Sequence, residues 1–368
     1  MTEKELKKFF NFLKESWAVF GPKTASPEDN KKPIVLVEPL DNFEDLVLDS
    51  RLPFFSFKRF FVPEYEALFE YRGAELKSPL QLPPLVKRGE GGFDKTVLFG
   101  MNLLDLKSIL LYDQVFEKDS YYQARRQNIL VIGHSLIPDL PQNIFEETFE
   151  EDVLEHLSFD IFLADTNPST RLAARSGDND ETLPPEPFDK TQGKLKSKAY
   201  KVFTGSLAGQ KVLNNFGYDK YTHIQFSGPV KEGKLDERMI LLKEKLKNRH
   251  NQKIWDELGA RCIECGKCTI ACPTCFCFRI DDQAELGANT GERQRCWDSC
   301  FYQEFSEIAG GHKFLSGTAQ RIYFWYYHKF ARIPDEFDFI GCVGCRRCAA
   351  VCPVGIDIEE VLKSIEES

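Results

Sequence analysis

All twelve cysteines of this 368-residue chain fall between Cys262 and Cys352, and eight of them repeat one spacing. The first copy is Cys262, Cys265, Cys268 and Cys272 followed by Pro273; the second is Cys342, Cys345, Cys348 and Cys352 followed by Pro353. Three thiolates at two-residue intervals let one tight loop grip three irons of a [4Fe–4S] cluster, while the fourth cysteine of each copy ligates the other cluster. The copies complete each other. One cluster is expected on Cys262, Cys265, Cys268 and Cys352, the other on Cys342, Cys345, Cys348 and Cys272. Zinc sites present two ligand pairs with longer intervals between them, which this pattern does not offer. Gly266 and Gly344 suit loops whose backbone approaches inorganic sulfide, and equally suit ordinary turns.

Cys275, Cys277, Cys296 and Cys300 remain. They are numerous enough for a third [4Fe–4S] cluster, but their spacing follows no specific ligand pattern, and cysteine also serves as a small buried hydrophobe. Both readings stand at this point. With no cysteine before Cys262, clustered thiols read as metal ligands before they read as disulfides.

The formal net charge of −9 offers no basic field for nucleic acid or anionic lipid, which argues against both as partners. Hydrophobic residues at 42% against 29% charged are enough for a large core. The first seventeen residues lack the apolar run of a signal peptide, and no stretch has the length of a membrane span, so a cytoplasmic location is expected. His134, His156, His223, His250, His312 and His328 are scattered outside any catalytic or ligand pattern. His312, after Gly310 and Gly311, reads as a loop histidine, with a hydrogen bond to sulfide as the sharper alternative.

Residues 2–17 show helical periodicity, and Gly21-Pro22 with the polar stretch through Lys32 reads as a loop. Strands are expected over 33–40, 96–103, 128–136, 159–165 and 199–205, alternating with helix-like segments at 105–116 and 152–157. The glycine-rich stretch over 88–95 lacks the features of a phosphate loop and reads as a turn, and 176–197 as a long exposed loop. Residues 237–250 look helical. The long excursion from Cys272 to Cys342 implies a helical insertion. Within it Tyr323, Tyr326, Tyr327 and Phe330 share a helix face, read as a core stripe in preference to an aromatic bridge for electrons. Arg346 and Arg347 sit inside the second cysteine loop, where they read either as solvated or as a partner-docking charge that also favours a reduced cluster.

The segments CIECGKCTIACPTCFCF (262–278), GERQRCWDSCFYQEFSEIAGGHKF (291–314) and CVGCRRCAAVCP (342–353) resemble the beta subunit of cytoplasmic NiFe sulfhydrogenases, and nearly as closely the A subunit of anaerobic sulfite reductases. The resemblance reaches the first half through VFGP (19–22), FVPEYEALFEY (61–71) and YYQARRQNILVIG (121–133). It implies an electron relay without a catalytic site of its own. The implied partners are a flavin-containing, NAD(P)H-handling subunit and the hydrogenase small and large subunits, or a sulfite reductase catalytic subunit in the alternative. The chain departs from these relatives in lacking thiols at Met101–Asp105 and after His134.

An α+β chain is therefore expected: a cysteine-free mixed α/β domain over 1–250, then a mainly helical, ferredoxin-like domain over 251–368 with two [4Fe–4S] clusters. A rival of another class is a structural module whose metal only holds an interaction surface together.

Overall fold

The computed structural model describes residues 1–25, 33–77, 95–136, 138, 151–166, 198–228, 237–248, 253–285 and 287–368. A capping box opens the first helix, α1 (Glu3–Lys14): the Thr2 hydroxyl accepts from the Glu5 amide and the Glu5 carboxylate accepts from the Thr2 amide. Leu6, Phe9, Phe10 and Leu13, spaced along one face, are all buried. The chain continues through β1 (Ala18–Ala25), β2 (Ile34–Pro39), α2 (Lys58–Phe61), β3 (Tyr65–Arg72), β4 (Glu75–Lys77), β5 (Thr96–Met101), α3 (Leu103–Val115) and α4 (Ser120–Gln127). There follow β6 (Ile129–His134), β7 (Ile161–Asp165), β8 (Tyr200–Thr204), α5 (Leu207–Phe216) and β9 (Tyr221–His223).

Seven of these strands form one sheet in the order β2-β1-β5-β6-β7-β8-β9, with β1, β5, β6 and β7 parallel. Every residue of β5, β6 and β7 is buried, because helices cover both faces. Val97, Phe99, Leu130, Ile132, Ile161 and Leu163 pack with α1, whereas Leu98, Val131 and Phe162 pack with α3. The strands expected over 33–40, 96–103, 128–136, 159–165 and 199–205 are all members of this sheet.

Gly21 and Pro22 form no loop; they lie inside β1. A Cβ on Gly21 would stand 2.6 Å from the Phe99 carbonyl oxygen, so close strand packing requires the glycine. Beyond Phe20, β1 no longer pairs with β5, and Pro22 sits where that side needs no amide donor. Residues 151–156 form a 3-10 turn, not an α-helix. The expected loop over 176–197, and all but Lys95 of the glycine-rich stretch, lie outside the described residues.

The second half comprises α6 (Glu237–Asn248), α7 (Lys253–Arg261), α8 (Lys267–Ala271), β10 (Phe278–Ala284), β11 (Thr290–Trp297), β12 (Glu307–Ile308), β13 (His312–Lys313) and α9 (Thr318–Tyr327). A π-helical turn over His328–Arg332 leads into α10 (Ile333–Phe337), then α11 (Arg347–Ala350) and α12 (Ile358–Glu367). The expected helical insertion is thus only half helical: its first part is the hairpin β10–β11, whose second strand pairs with β3 to give the order β10-β11-β3-β4. Buried charges tie this junction, where Arg295 bonds the Glu66 and Asp119 carboxylates and Arg125 pairs with Glu66. A separate core of α6, α7, α9 and α12 includes Tyr323, Tyr326 and Phe330, the stripe read from the sequence. No helix among the described residues is long and apolar enough to cross a membrane.

Candidate metal centre

Each cysteine triplet lies on a loop leading into a short helix, α8 or α11, and the two loops share one backbone device. Glu264 and Gly266, on either side of Cys265, have φ of 55° and 70°; Gly344 and Arg346, on either side of Cys345, have 72° and 54°. Two left-handed residues curl each loop back on itself. In each pair the longer side chain, which tolerates that conformation less readily, is anchored. Thr318 and Arg321 each donate to Glu264 at 2.7 Å, and Arg346 pairs with Asp357, the N-cap of α12. The curled loops turn amides toward sulfur: Glu264 donates to Cys262 Sγ at 3.4 Å and Gly344 to Cys342 Sγ at 3.4 Å.

Cys262, Cys265, Cys268 and Cys352 line one cavity together with Phe301, Ile322, Trp325, Tyr326 and Ile358, and Cys348 of the second loop reaches its wall as well. Arg261 holds Cys352 there by donating to the Val354 and Gly355 carbonyls, and the Ile356 amide donates to Cys352 Sγ at 3.3 Å. Cys272 crosses the other way and lies within electrostatic reach of Cys342, Cys345 and Cys348. Thr274 fixes it there, bonding Cys272 Sγ at 3.1 Å and donating to the Gly341 carbonyl at 2.7 Å.

Burial pushes the thiols of Cys268 and Cys348 up, with the neighbouring sulfurs adding to the effect, and pushes Cys342 up to about 12. Four thiolates cannot share either place without a compensating positive charge, which iron supplies. Cys272 departs from this pattern. A hydrogen bond from Cys275 and the Lys329 ammonium hold its thiol well below the usual range, against burial. Among the described residues no three donor side chains converge on a point for a single metal ion. The first set lies spread around its cavity, as a polynuclear centre requires. The residues fit the group.

Of the four further thiols, three stand together. The β10–β11 register ends at Phe278 opposite Trp297, and the Asp298 amide donates to the Cys277 carbonyl at 3.0 Å, bringing Cys300 against Cys277. Cys275 is hydrogen-bonded to Cys272. Cys296 lies apart, opposite Arg279 and Tyr65 in the strands and near Asp281.

The arginine pair is neither solvated nor, at Arg347, turned outward for docking, although Arg347 does act on the Cys345 sulfur. Arg347 is buried, donating two bonds of 2.6 and 2.9 Å to the Asp105 carboxylate and one of 2.9 Å to the Pro53 carbonyl; it clamps the second loop to α3 instead of facing a partner. Arg346 is mostly covered by its pairing with Asp357. His312 is exposed on the β12–β13 hairpin, stacked edge-on against Phe314. Sequence reasoning missed Lys329 and Asp105. Neither has a cysteine motif beside it, and only the π-helical turn and the fold of α3 bring them to the thiols.

Residues 261–356 match the family model of a 4Fe-4S dicluster domain. Together with the two thiol sets this defines an iron–sulfur protein of the electron-transfer class. Over 367 residues the chain is 29% identical to sulfhydrogenase 2 subunit beta of Pyrococcus furiosus, covering 98% of this chain and 95% of that one. The chain is thus an iron–sulfur protein similar over its whole length to a sulfhydrogenase beta subunit. No solved structure matches it significantly.

Proposed function

We propose that this chain carries electrons within a hydrogenase complex, passing them between a flavin-containing, NAD(P)H-handling subunit and the hydrogenase small and large subunits. Its two [4Fe–4S] clusters are held by Cys262, Cys265, Cys268 and Cys352 and by Cys342, Cys345, Cys348 and Cys272. The observation that supports the reading is the placement of the last cysteines, Cys352 lining the cavity of Cys262, Cys265 and Cys268, and Cys272 within electrostatic reach of Cys342, Cys345 and Cys348. The clusters supply one-electron storage. The chain's own residues shape each loop, donate amides to sulfur and seal the second set against the N-terminal sheet. Ile263, 62% exposed beside the first cavity, gives that set a route to the surface where a partner can dock. The sulfhydrogenase likeness over the whole length supports the hydrogenase setting.

Single substitutions of the crossing cysteines test the site. Cys272→Ala is expected to abolish the cluster of the Cys342 loop and spare its sequence neighbour, and Cys352→Ala to do the reverse, as read by electron paramagnetic resonance of the reduced protein. Loss confined to the neighbour in sequence would overturn the ligand assignment.

A further inference from the structure

Lys329 is 2% exposed, and its Nζ donates to Cys272 Sγ at 3.2 Å, to Thr274 Oγ1 at 3.1 Å and to the Gly341 carbonyl at 2.8 Å. The π-helical turn aims it there, as such turns do at functional positions. Among the described residues no carboxylate forms an ion pair with it. A cation sealed from water without an anion is costly, so the sulfurs of the second set must provide the negative charge. A second buried cation, Lys58, is bonded to the Thr269 carbonyl at 3.3 Å and lies 4.1 Å over the Trp297 ring; of the ligand sulfurs it acts on Cys272, alongside Cys275 and Cys277. Arg347 also touches this set, but Asp105 neutralises it.

Among the described residues, no buried cation is hydrogen-bonded to a sulfur of the first set. Besides its own cysteines and Cys348, its cavity is lined by residues such as Ile263, Phe301, Trp325 and Ile356 and, among the described residues, by no charged side chain; the charge that acts on Cys262 is the Glu264 carboxylate, itself paired with Arg321. Adding an electron makes a cluster more negative, so a fixed buried cation in contact with a ligand sulfur favours the reduced form.

We infer that Lys329 makes the two centres unequal: the site of Cys272, Cys342, Cys345 and Cys348 has the higher reduction potential and holds the first electron. Lys329 is thus a positioning residue for charge, acting through Cys272. The surface-facing first set exchanges electrons, and the second, backed by the sheet, stores them. This rests on the two-cluster reading above.

The test is a redox titration of the cluster-loaded full chain followed by electron paramagnetic resonance, with signals assigned by the absence of the first cluster in Cys352→Ala. In the wild type the second site is expected to reduce first. Lys329→Met is expected to move that step to lower potential and leave the other in place, while Lys329→Arg, which keeps the charge, preserves most of the separation. Wild-type protein in which the first site reduces first overturns the inference whatever the variants do, as does an iron-loaded Lys329→Met with both steps unmoved. Iron analysis of the same samples separates the two claims: a wild-type chain that binds no iron overturns the cluster reading itself and the inference with it.

Discussion

Arg347 and Asp105 show how a single pair fixes a cysteine loop to a distant part of the chain. Both are sealed from water, and their two parallel bonds join the loop after Cys345 to the first turn of α3. Removing one partner leaves the other charged and buried, which costs about 3–5 kcal/mol, whereas replacing both with apolar groups of similar volume is close to neutral. Arg347→Met should therefore lower the denaturation midpoint of the cluster-loaded chain strongly, and Arg347→Met combined with Asp105→Leu should recover most of the loss. Equal destabilisation by the single and double variants would show that the pair itself is not what holds the loop. The sequence displayed Arg347 beside the cysteines, and its partner lay far upstream in an unremarkable helix start. That distance is why a buried clamp read as a solvated or docking charge.

Element by element, legibility followed local signal. The strands β5, β6 and β7 were readable because burial on both faces demands continuous apolar runs, and α1 because its apolar residues keep helical spacing. The strand β1 was hidden by Gly21-Pro22, whose place depends on β5 passing close by. The β10–β11 hairpin was hidden because both strands are polar and β10 is largely exposed, the hairpin gaining its order from β3. The thiol loops were readable, since the ligand spacing of a cluster is local; the company of Cys275, Cys277 and Cys300 without Cys296 needed the hairpin register. The junction of β5 and β6 also carries a pH dependence. His134, which ends β6, accepts the Leu136 amide at Nδ1 at 3.1 Å, and burial lowers its pKa from 6.5 to about 4 despite the Gly100 carbonyl. The unfolded chain binds the proton first as pH falls, so the stability from neutral His134 is complete above pH 6.5 and lost progressively toward pH 4, about 3 kcal/mol in all. Unfolding free energies measured from pH 7 down to 5 should fall more steeply for the wild type than for His134→Gln; parallel curves would contradict this.

At the scale of the whole molecule, two pieces that differ in composition are joined by shared structure. The second cysteine loop contributes Val343 and Cys345 to the same core as α3 and the large sheet, and β11 pairs with β3. The cysteine-free half thus backs the second site, while the first remains near the surface beside Ile263. That arrangement suits a relay with one exposed and one sheltered station, and it gives the thiols Cys275, Cys277 and Cys300 a place between them without a fourth cysteine of their own. The most direct measurement is the iron and acid-labile sulfide content of the anaerobically reconstituted chain, combined with the electrons it accepts on reductive titration. The account predicts about eight irons and eight sulfides per chain and about two electrons taken up, one per cluster. A colourless protein holding zinc, or bound iron that accepts no electrons, would contradict the relay and leave the metal a purely structural part.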